Sequence, residues 1–448
     1  MQLPHPNAPD GSTLGLPHPV APDGNTLGLP HPIAPDGNTL RSIRVLYVFT
    51  ARKRRLAEGV QAMTDPDTLL FGYNWLQARP GLEASGGSLT DEGRPVRVDV
   101  HEPEYGRLGR AVMGLVGRLG PDVVQLRVLP RFTRNDVVFL TGGWPLLLAS
   151  RLIPASRRPR LVWLNMTLTN LFRAGGVRAR LLAMACRMAD RIVCVSSDQQ
   201  AFLSRRLGLP VSRLPVVKSG TDVGFFAQAL ASPVADGGVP FVLAPGRDAG
   251  RDYATLCLAA TGASWPVTIV CSPRNMEGVS VPPNVTVRHD LPPRELRDLY
   301  AAARVVVIPT GSDDDAPVGS DCSGTLVLLD ALAMGAPVVI TSRRSVAEYA
   351  MEADTVTTVA VRDASGLRMV LDEAMGLLRD HARDAGEIGR RVAGGVVPAA
   401  GGGNWRSHGG TDPHPIAPDG NTHGLANGRP RSTADFAAGL AAVFREVV

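Results

Sequence analysis

From Ser42 onward the chain alternates short apolar runs with segments whose apolar positions recur at helical spacing. Continuous apolar runs bounded by turn residues predict strands buried on both faces. The first group comprises Ile43 to Phe49, Val96 to Val100, Asp136 to Leu140, Leu161 to Leu164, Arg191 to Val195 and Leu214 to Val217. Helical stretches such as Val177 to Ala189 and Asp198 to Leu207 lie between them. A small-residue stretch, Phe225 to Gly238, reads as a linker. The second group of strands is Phe241 to Ala244, Val267 to Cys271, Val285 to Arg288, Val305 to Ile308, Val338 to Thr341 and Val356 to Val359. Helices are predicted at Tyr253 to Ala260, Arg294 to Ala303, Thr325 to Met334 and Leu367 to Leu378. Strand–helix alternation predicts α/β architecture with two doubly wound, Rossmann-like domains facing across a cleft. Ligands in such sheets bind at the carboxyl ends of the strands.

The flanks follow another pattern. A thirteen-residue unit, LPHPNAPDGSTLG, starts at Leu3, recurs at Leu16 and Leu29, and returns as DPHPIAPDGNTHG at Asp412. Each copy has three prolines, a Pro-Asp-Gly turn signal and almost no apolar face, so it cannot build a core. The recurring His5, His18, His31 and His414 raise a metal-binding array as one reading, but the composition favours an extended, disordered spacer spread by duplication. The domain reading is therefore 1–41 repeats, 42–225 first domain, 226–393 second domain, 394–431 flexible insertion carrying the fourth repeat, and 432–448 a helix. That helix, Thr433 to Val447, places Phe436, Leu440, Val443 and Phe444 on one face and is expected to pack back on the first domain.

Charge narrows the function classes. With 47 basic and 42 acidic residues the net charge is +5, too mild on 448 residues to predict nucleic-acid binding. Only Lys53 and Lys218 are lysines, so the cations are otherwise arginines, suited to bidentate phosphate contacts. The five cysteines form no C-x-x-C pair and sit in apolar patterns, which fits a reducing cytoplasm. The first forty residues lack a signal-peptide pattern, and the apolar run Val137 to Ile153 is broken by Gly142, Gly143, Pro145 and Arg151. Cytoplasmic localisation is expected. The cluster Arg52-Lys53-Arg54-Arg55 after the first strand leaves open an anionic acceptor or peripheral contact with the inner face of the membrane, although a solvated helix start is the slightly better account.

The richest segment is Asp321 to Glu348, DCSGTLVLLDALAMGAPVVITSRRSVAE. Ser323, Gly324 and Thr325 open a helix, where free amides and the dipole form an anion site. Asp330 lies about two turns from that end. Gly335 closes the helix, and Pro337 precedes a buried strand. Phosphates at the helix tip and ribose hydroxyls on Asp330 suit a nucleotide. This segment resembles the donor-binding element of retaining glycosyltransferases of the GT-B fold, family 4, whose pattern is Glu, seven residues, Glu, then Gly-x-Pro-Val-Val. Here Asp330 stands for the second acid, and Cys322 occupies the first acid's position.

Two more stretches carry the resemblance. Gly246-Arg247-Asp248-Ala249-Gly250-Arg251-Asp252 is similar to the family's Gly-Arg-x-x-x-Lys element, with Arg251 in the Lys position. Paired cations there stabilise a nucleoside-diphosphate leaving group. Ala189-Asp190-Arg191-Ile192-Val193-Cys194-Val195-Ser196, then Gly220-Thr221-Asp222 and Phe225-Phe226, resembles the family's exit from its first domain.

The resemblance implies a hexosyltransferase-type glycosyltransferase (EC 2.4.-.-) that moves a sugar from a nucleoside-diphosphate sugar, with retention, to a sugar, lipid-linked or small-molecule acceptor. It implies Arg247, Arg251, Ser323, Gly324 and Thr325 at the donor diphosphate, Asp330 at the ribose, and Asp321 and Cys322 near the donor sugar. No metal or other cofactor is expected; Asp313-Asp314-Asp315 reads as a polar lip beside the donor sugar, or as a solvated run, rather than a metal site. Two departures stand out. No glycine-rich turn follows the first strand, and Leu161 to Asn170 lacks the His that many relatives carry, leaving Asn165, Thr167 and Thr169 as cleft candidates. With Cys322, these departures support the alternative of a non-catalytic nucleotide-binding or scaffold protein.

Overall fold

The computed structural model describes residues 42–49, 53–76, 96–101, 125–173, 175–230, 239–313, 319–350, 355–376 and 431–448. The four repeats, most of the 394–431 insertion, Arg52, Asp314 and Asp315 lie outside the described residues.

Two parallel sheets organise the chain. In the first lobe β1 (Ile43–Val48), β2 (Val96–His101), β3 (Val137–Leu140), β4 (Arg160–Leu164) and β5 (Arg191–Val193) lie in the order β2-β1-β3-β4-β5. In the second, β6 (Val242–Pro245), β7 (Val267–Cys271), β8 (Val285–His289), β9 (Val305–Ile308), β10 (Val338–Thr341) and β11 (Val356–Val359) lie in the order β11-β10-β9-β6-β7-β8. Every pairing is parallel. The near-continuous apolar character of β1, β3, β6, β9 and β10 follows, because helices cover both faces of a parallel sheet. Side-chain alternation then splits each core in two. Leu46 and Val48 enter one first-lobe cluster, while Val45 and Tyr47 enter the other.

The C-terminal helix Thr433–Val447 completes the second of these clusters. Phe436, Leu440, Val443 and Phe444 are all buried there, with the Phe444 ring 5.6 Å from Phe139 and 6.4 Å from Tyr47. Its cap is a reciprocal pair: Ser432 Oγ accepts from Asp435 N–H at 3.2 Å, and the Asp435 carboxylate accepts from Ser432 N–H at 2.8 Å. A backbone crossing ties the helix to the exit of the first lobe. Thr221 N–H donates to Arg431 O at 3.0 Å, and Thr433 N–H to Thr221 O at 3.0 Å. Gly220 is buried at this crossing, and a Cβ there would run into the Ser432 carbonyl. Gly220→Ala is expected to cost about 1–3 kcal/mol through forced separation of the two backbones. A urea denaturation midpoint checks this, and an unchanged midpoint would refute the crossing as a tight contact.

The structure alters two sequence expectations. Leu214 to Val217 is no strand but a single bridge, Cys194 to Val216. Pro215 explains this, since it accepts from Cys194 N–H at 2.9 Å but has no amide to donate onward. The linker read from Phe225 starts as the helix Val223–Leu230, and Phe225 and Phe226 are buried in the second lobe's core, with Phe226 5.9 Å from Tyr300. The run Val137 to Ile153 resolves into β3, the helix Trp144–Ala149 and a 3-10 turn. Among the described residues no helix is long and apolar enough to cross a membrane.

Candidate functional site

In the second sheet the strand order reverses between β6 and β9, and the ligand crevice of such a sheet lies at the carboxyl ends of those two strands. The β6 loop begins at Gly246, whose φ of +148° suits only glycine. It then turns back, and Arg251 bridges antiparallel to Thr310 of the β9 loop. Asp252 N–H donates to Pro309 O at 3.0 Å, and Gly311 N–H to Gly250 O at 3.0 Å. Asp248 joins a third loop to these two: its carboxylate accepts from Gly250 N–H at 2.8 Å and from Ser320 N–H at 2.9 Å. Gly319, at φ +83°, lies so close to Asp248 that a Cβ would collide with its carboxylate.

These three loops converge on a set of unpaired polar groups. Nε and Nη1 of Arg251 are buried and make no hydrogen bond. The hydroxyls of Thr310, Ser323 and Thr325 are also buried without a partner. The guanidinium packs on Gly246, and a Cβ on Gly324 would lie 3.5 Å from Arg251 Nη1. Gly324, at φ +99°, is the N-cap of the helix Thr325–Ala333. A cation and a helix N-terminus of the same sign thus meet, and among the described residues Arg251 forms no ion pair. Burying such groups unpaired costs free energy, which an anion accepting from them would offset.

The sequence reading expected backbone donors from Ser323, Gly324 and Thr325. The Ser323 and Thr325 amides are instead spent on Ser320 O at 3.2 Å and Cys322 O at 3.1 Å, so these residues offer hydroxyls. Arg343 supports the loop from behind, donating to Ser323 O at 3.2 Å and pairing with Asp313 at 2.7 Å. Asp313, read as a polar lip, is buried, and it caps the helix Arg344–Ala350 through Arg344 N–H at 2.8 Å. The charge it carries is compensated by Arg343, so it is spent on structure.

Arg247 stands apart from Arg251. It is exposed and pairs with Asp290 at 2.9 Å, at the rim beyond β8. Asp330 faces the crossing between the lobes, accepting from Thr221 Oγ at 2.5 Å. Burial pushes its carboxyl up to about 7, with Asp222 adding to the rise and the Thr221 hydrogen bond opposing it. Asp321 and Cys322 turn toward the first lobe. The Asp321 carboxylate accepts from Thr169 N–H at 2.8 Å and Asn170 N–H at 3.0 Å, at the start of the helix Leu168–Arg173. Cys322 is buried in the first lobe's core beside the C-terminal helix, and burial pushes its thiol up to about 12. Of the cleft candidates, Thr167 is exposed, while Asn165 and Thr169 are buried with Asn165 Nδ2 and Thr169 Oγ1 unpaired. Lys53 sits 5.9 Å from the Phe71 ring at the start of the helix Arg54–Gln61.

Sequence reasoning missed Thr310 and the joining role of Asp248. The available signal was Pro309-Thr310-Gly311, turn residues directly after a buried strand. Only the strand order shows that this strand borders the crevice. Among the described residues no group of His, Cys, Asp and Glu has the arrangement to hold a metal ion.

Solved structures share this architecture. HepE of Anabaena, solved in complex with UDP and glucose, is 15% identical with a TM-score of 0.51, over 78% of this chain and 95% of that one. Sucrose-phosphate synthase of Thermosynechococcus elongatus is 16% identical with a TM-score of 0.51, over 79% and 94%. A glycosyltransferase of Rickettsia africae is 12% identical with a TM-score of 0.51, over 91% and 98%. At these identities the likeness is one of fold. No curated protein sequence matches the chain. The chain therefore has the GT-B fold, and its residues 248–376, which contain most of the crevice loops, match the family described as glycosyl transferases group 1.

Proposed function

We propose that the protein transfers a sugar from a nucleoside-diphosphate sugar to an acceptor. The observation that carries this is the unpaired Arg251 guanidinium, set among the Thr310, Ser323 and Thr325 hydroxyls at the switch point of the second sheet. This arrangement supports binding of a diphosphate whose negative charge grows as the glycosidic bond breaks. The family match over 248–376 supports the same reaction class. HepE of Anabaena, which shares the fold and was solved in complex with UDP and glucose, offers an analogy for the donor. Retention of anomeric configuration and hexosyl transfer follow the resemblance to family 4. The donor needs no metal in this reading, since Arg251 and the helix N-terminus supply the positive charge. Arg247 serves as an outer cation that reaches the diphosphate only by leaving Asp290.

Isothermal titration with UDP, GDP and dTDP tests the reading. Micromolar binding of one of them, coupled to turnover of its sugar, supports it; no binding by the folded chain overturns it. The second reading, nucleotide binding without catalysis, is favoured by one observation: Cys322 holds the position of the family's first acid and is buried in the other lobe. Nucleotide binding with neither transfer nor hydrolysis across a donor panel would select it.

Asp330 adds a pH signature. Its carboxyl titrates near 7 in the folded chain against an ordinary value of 3.8. The folded state therefore holds the proton more tightly. The stability this shift confers is complete at low pH and is lost as the pH climbs to about 7. Ribose hydroxyls donate to the ionised form, so nucleotide affinity is expected to rise as pH passes through about 7. Asp330→Asn is expected to flatten that rise and to weaken binding about tenfold at pH 8. Titrations from pH 5.5 to 8.5 on both proteins check this; the same slope in both would remove Asp330 from the ribose.

A further inference from the structure

The net charge of +5 conceals an asymmetry. Between Trp144 and Arg213 the sequence holds twelve arginines, no lysine and two aspartates, a net of +10, so the rest of the chain carries −5. Both aspartates are already engaged, Asp190 with Arg160 at 3.1 Å and Asp198 with Arg344 at 3.8 Å. Five of the twelve arginines lie on the helices Gly176–Met188 and Ser197–Leu207.

The outer stripe of the helix Gly176–Met188 runs through Val177, Arg180, Leu181, Met184 and Arg187, which recur at helical spacing. Val177 is 71% exposed, Met184 49% and Leu181 38%. An exposed helix face is ordinarily polar. This one presents large apolar side chains edged by cations and has no acidic residue anywhere along its length. Beside the stripe opens a cavity of about 500 Å³, with Phe172, Ala179 and Ala183 in its wall and Arg180, Arg187 and Arg206 around it. None of these three arginines forms an ion pair among the described residues, and no carboxylate lines the cavity. Arg206 lies 5.9 Å from the Phe172 ring, and Arg187 donates to Leu207 O at 3.3 Å, which fixes both heads at the wall.

We infer that this face docks on an anionic phospholipid surface, with lipid phosphates between Arg180, Arg187 and Arg206 and the Val177–Leu181–Met184 stripe in the acyl boundary. The charge asymmetry supplies attraction to the surface, and the exposed apolar side chains supply insertion, the combination that holds an interfacial helix in a bilayer. A nucleic acid fits less well, because the stripe offers no exposed aromatic ring on which bases stack. The face also has a defined relation to the crevice. The helix Leu168–Arg173 begins at the Asp321 carboxylate and reaches the cavity at Phe172, a helical span of about 6 Å.

Co-sedimentation of the full chain tests this, using vesicles of phosphatidylcholine alone and vesicles of equimolar phosphatidylcholine and phosphatidylglycerol. The chain is expected to bind the anionic vesicles, to release at high salt, and to leave the neutral ones unbound. Arg180→Ala/Arg187→Ala is expected to lower the partition about 25-fold, about fivefold per arginine. Val177→Ser/Met184→Ser, at exposed positions that leave the core intact, is expected to lower it several-fold. Both variants should retain wild-type nucleotide binding, which reports on folding. Equal binding to both vesicles, no binding to either, undiminished binding by the arginine variant, or displacement from the vesicles by single-stranded RNA would each overturn the inference.

Discussion

Arg251→Ala is expected to weaken binding of the preferred nucleoside diphosphate about 100-fold, whereas Arg247→Ala is expected to weaken it no more than about threefold. The two arginines look equivalent in the sequence, four residues apart on one loop. Their surroundings separate them. Arg247 is exposed and has Asp290 as a partner at 2.9 Å, so its contribution is screened and already shared. Arg251 is half-buried, with Nε and Nη1 unpaired, walled by Gly246 and close to Gly324. A diphosphate oxygen meeting these donors gains charge-assisted hydrogen bonds without first breaking an ion pair. The same geometry sets the sign of the stability change. Removing an unpaired buried cation relieves the free chain, so Arg251→Ala is expected to leave its melting temperature unchanged or raise it while nucleotide binding falls. Calorimetric titration with UDP, GDP and dTDP, beside a thermal melt without ligand, measures both. Equal losses in the two variants, or a collapse of the ligand-free melt in Arg251→Ala, would show that Arg251 serves packing rather than phosphate.

Much of this arrangement was legible in the sequence for identifiable reasons. Strands buried on both faces read as continuous apolar runs, so β6, β7, β9 and β10 stood out within a residue of their bounds. The helix start at Ser323 and Gly324 was legible because small polar and glycine residues directly precede an apolar helical run, and the structure makes Gly324 its N-cap. Strand order was not legible, and it decides which loops meet. Thr310 gains its place only because β9 lies beside β6, sixty residues earlier in the chain. Direction was equally hidden. Asp321, Cys322 and Ser323 are consecutive, yet the first caps a helix of the first lobe, the second is buried in that lobe's core and the third remains at the crevice. Spacing assigns residues to a loop; the contacts across the lobes decide which side chains stay free for a ligand. Pro215 is the converse case, a single residue that spoils a strand the apolar pattern favoured.

The contact across the lobes gives the second large expected effect. Asp321→Ala is expected to cost about 2–5 kcal/mol of stability, because it orphans two buried amides at once, those of Thr169 and Asn170. Burial raises the Asp321 carboxyl above its ordinary range, and the hydrogen bonds to Thr169 and Asn170 oppose that rise. The carboxylate thus depends on the very donors it satisfies. Its loop is held further by Asp321 N–H to Met166 O at 3.0 Å and Asn170 Nδ2 to Gly319 O at 3.1 Å. Beyond β10, in the helix Arg344–Ala350, Glu348 accepts from Ser197 N–H at 2.8 Å, and Ser219 N–H donates to the Tyr349 hydroxyl at 2.9 Å, so the second lobe grips the first at separate points. Loss of Asp321 therefore loosens the loop that carries the Ser323 and Thr325 hydroxyls without freeing the lobes altogether. The expected signature is a lower urea midpoint together with weaker nucleotide binding, and Asp321→Asn should recover part of both by keeping one acceptor oxygen. A variant with an unchanged midpoint would mean that the Thr169 and Asn170 amides find other partners, and that the grip through Glu348 and Tyr349 alone holds the crevice loops in place.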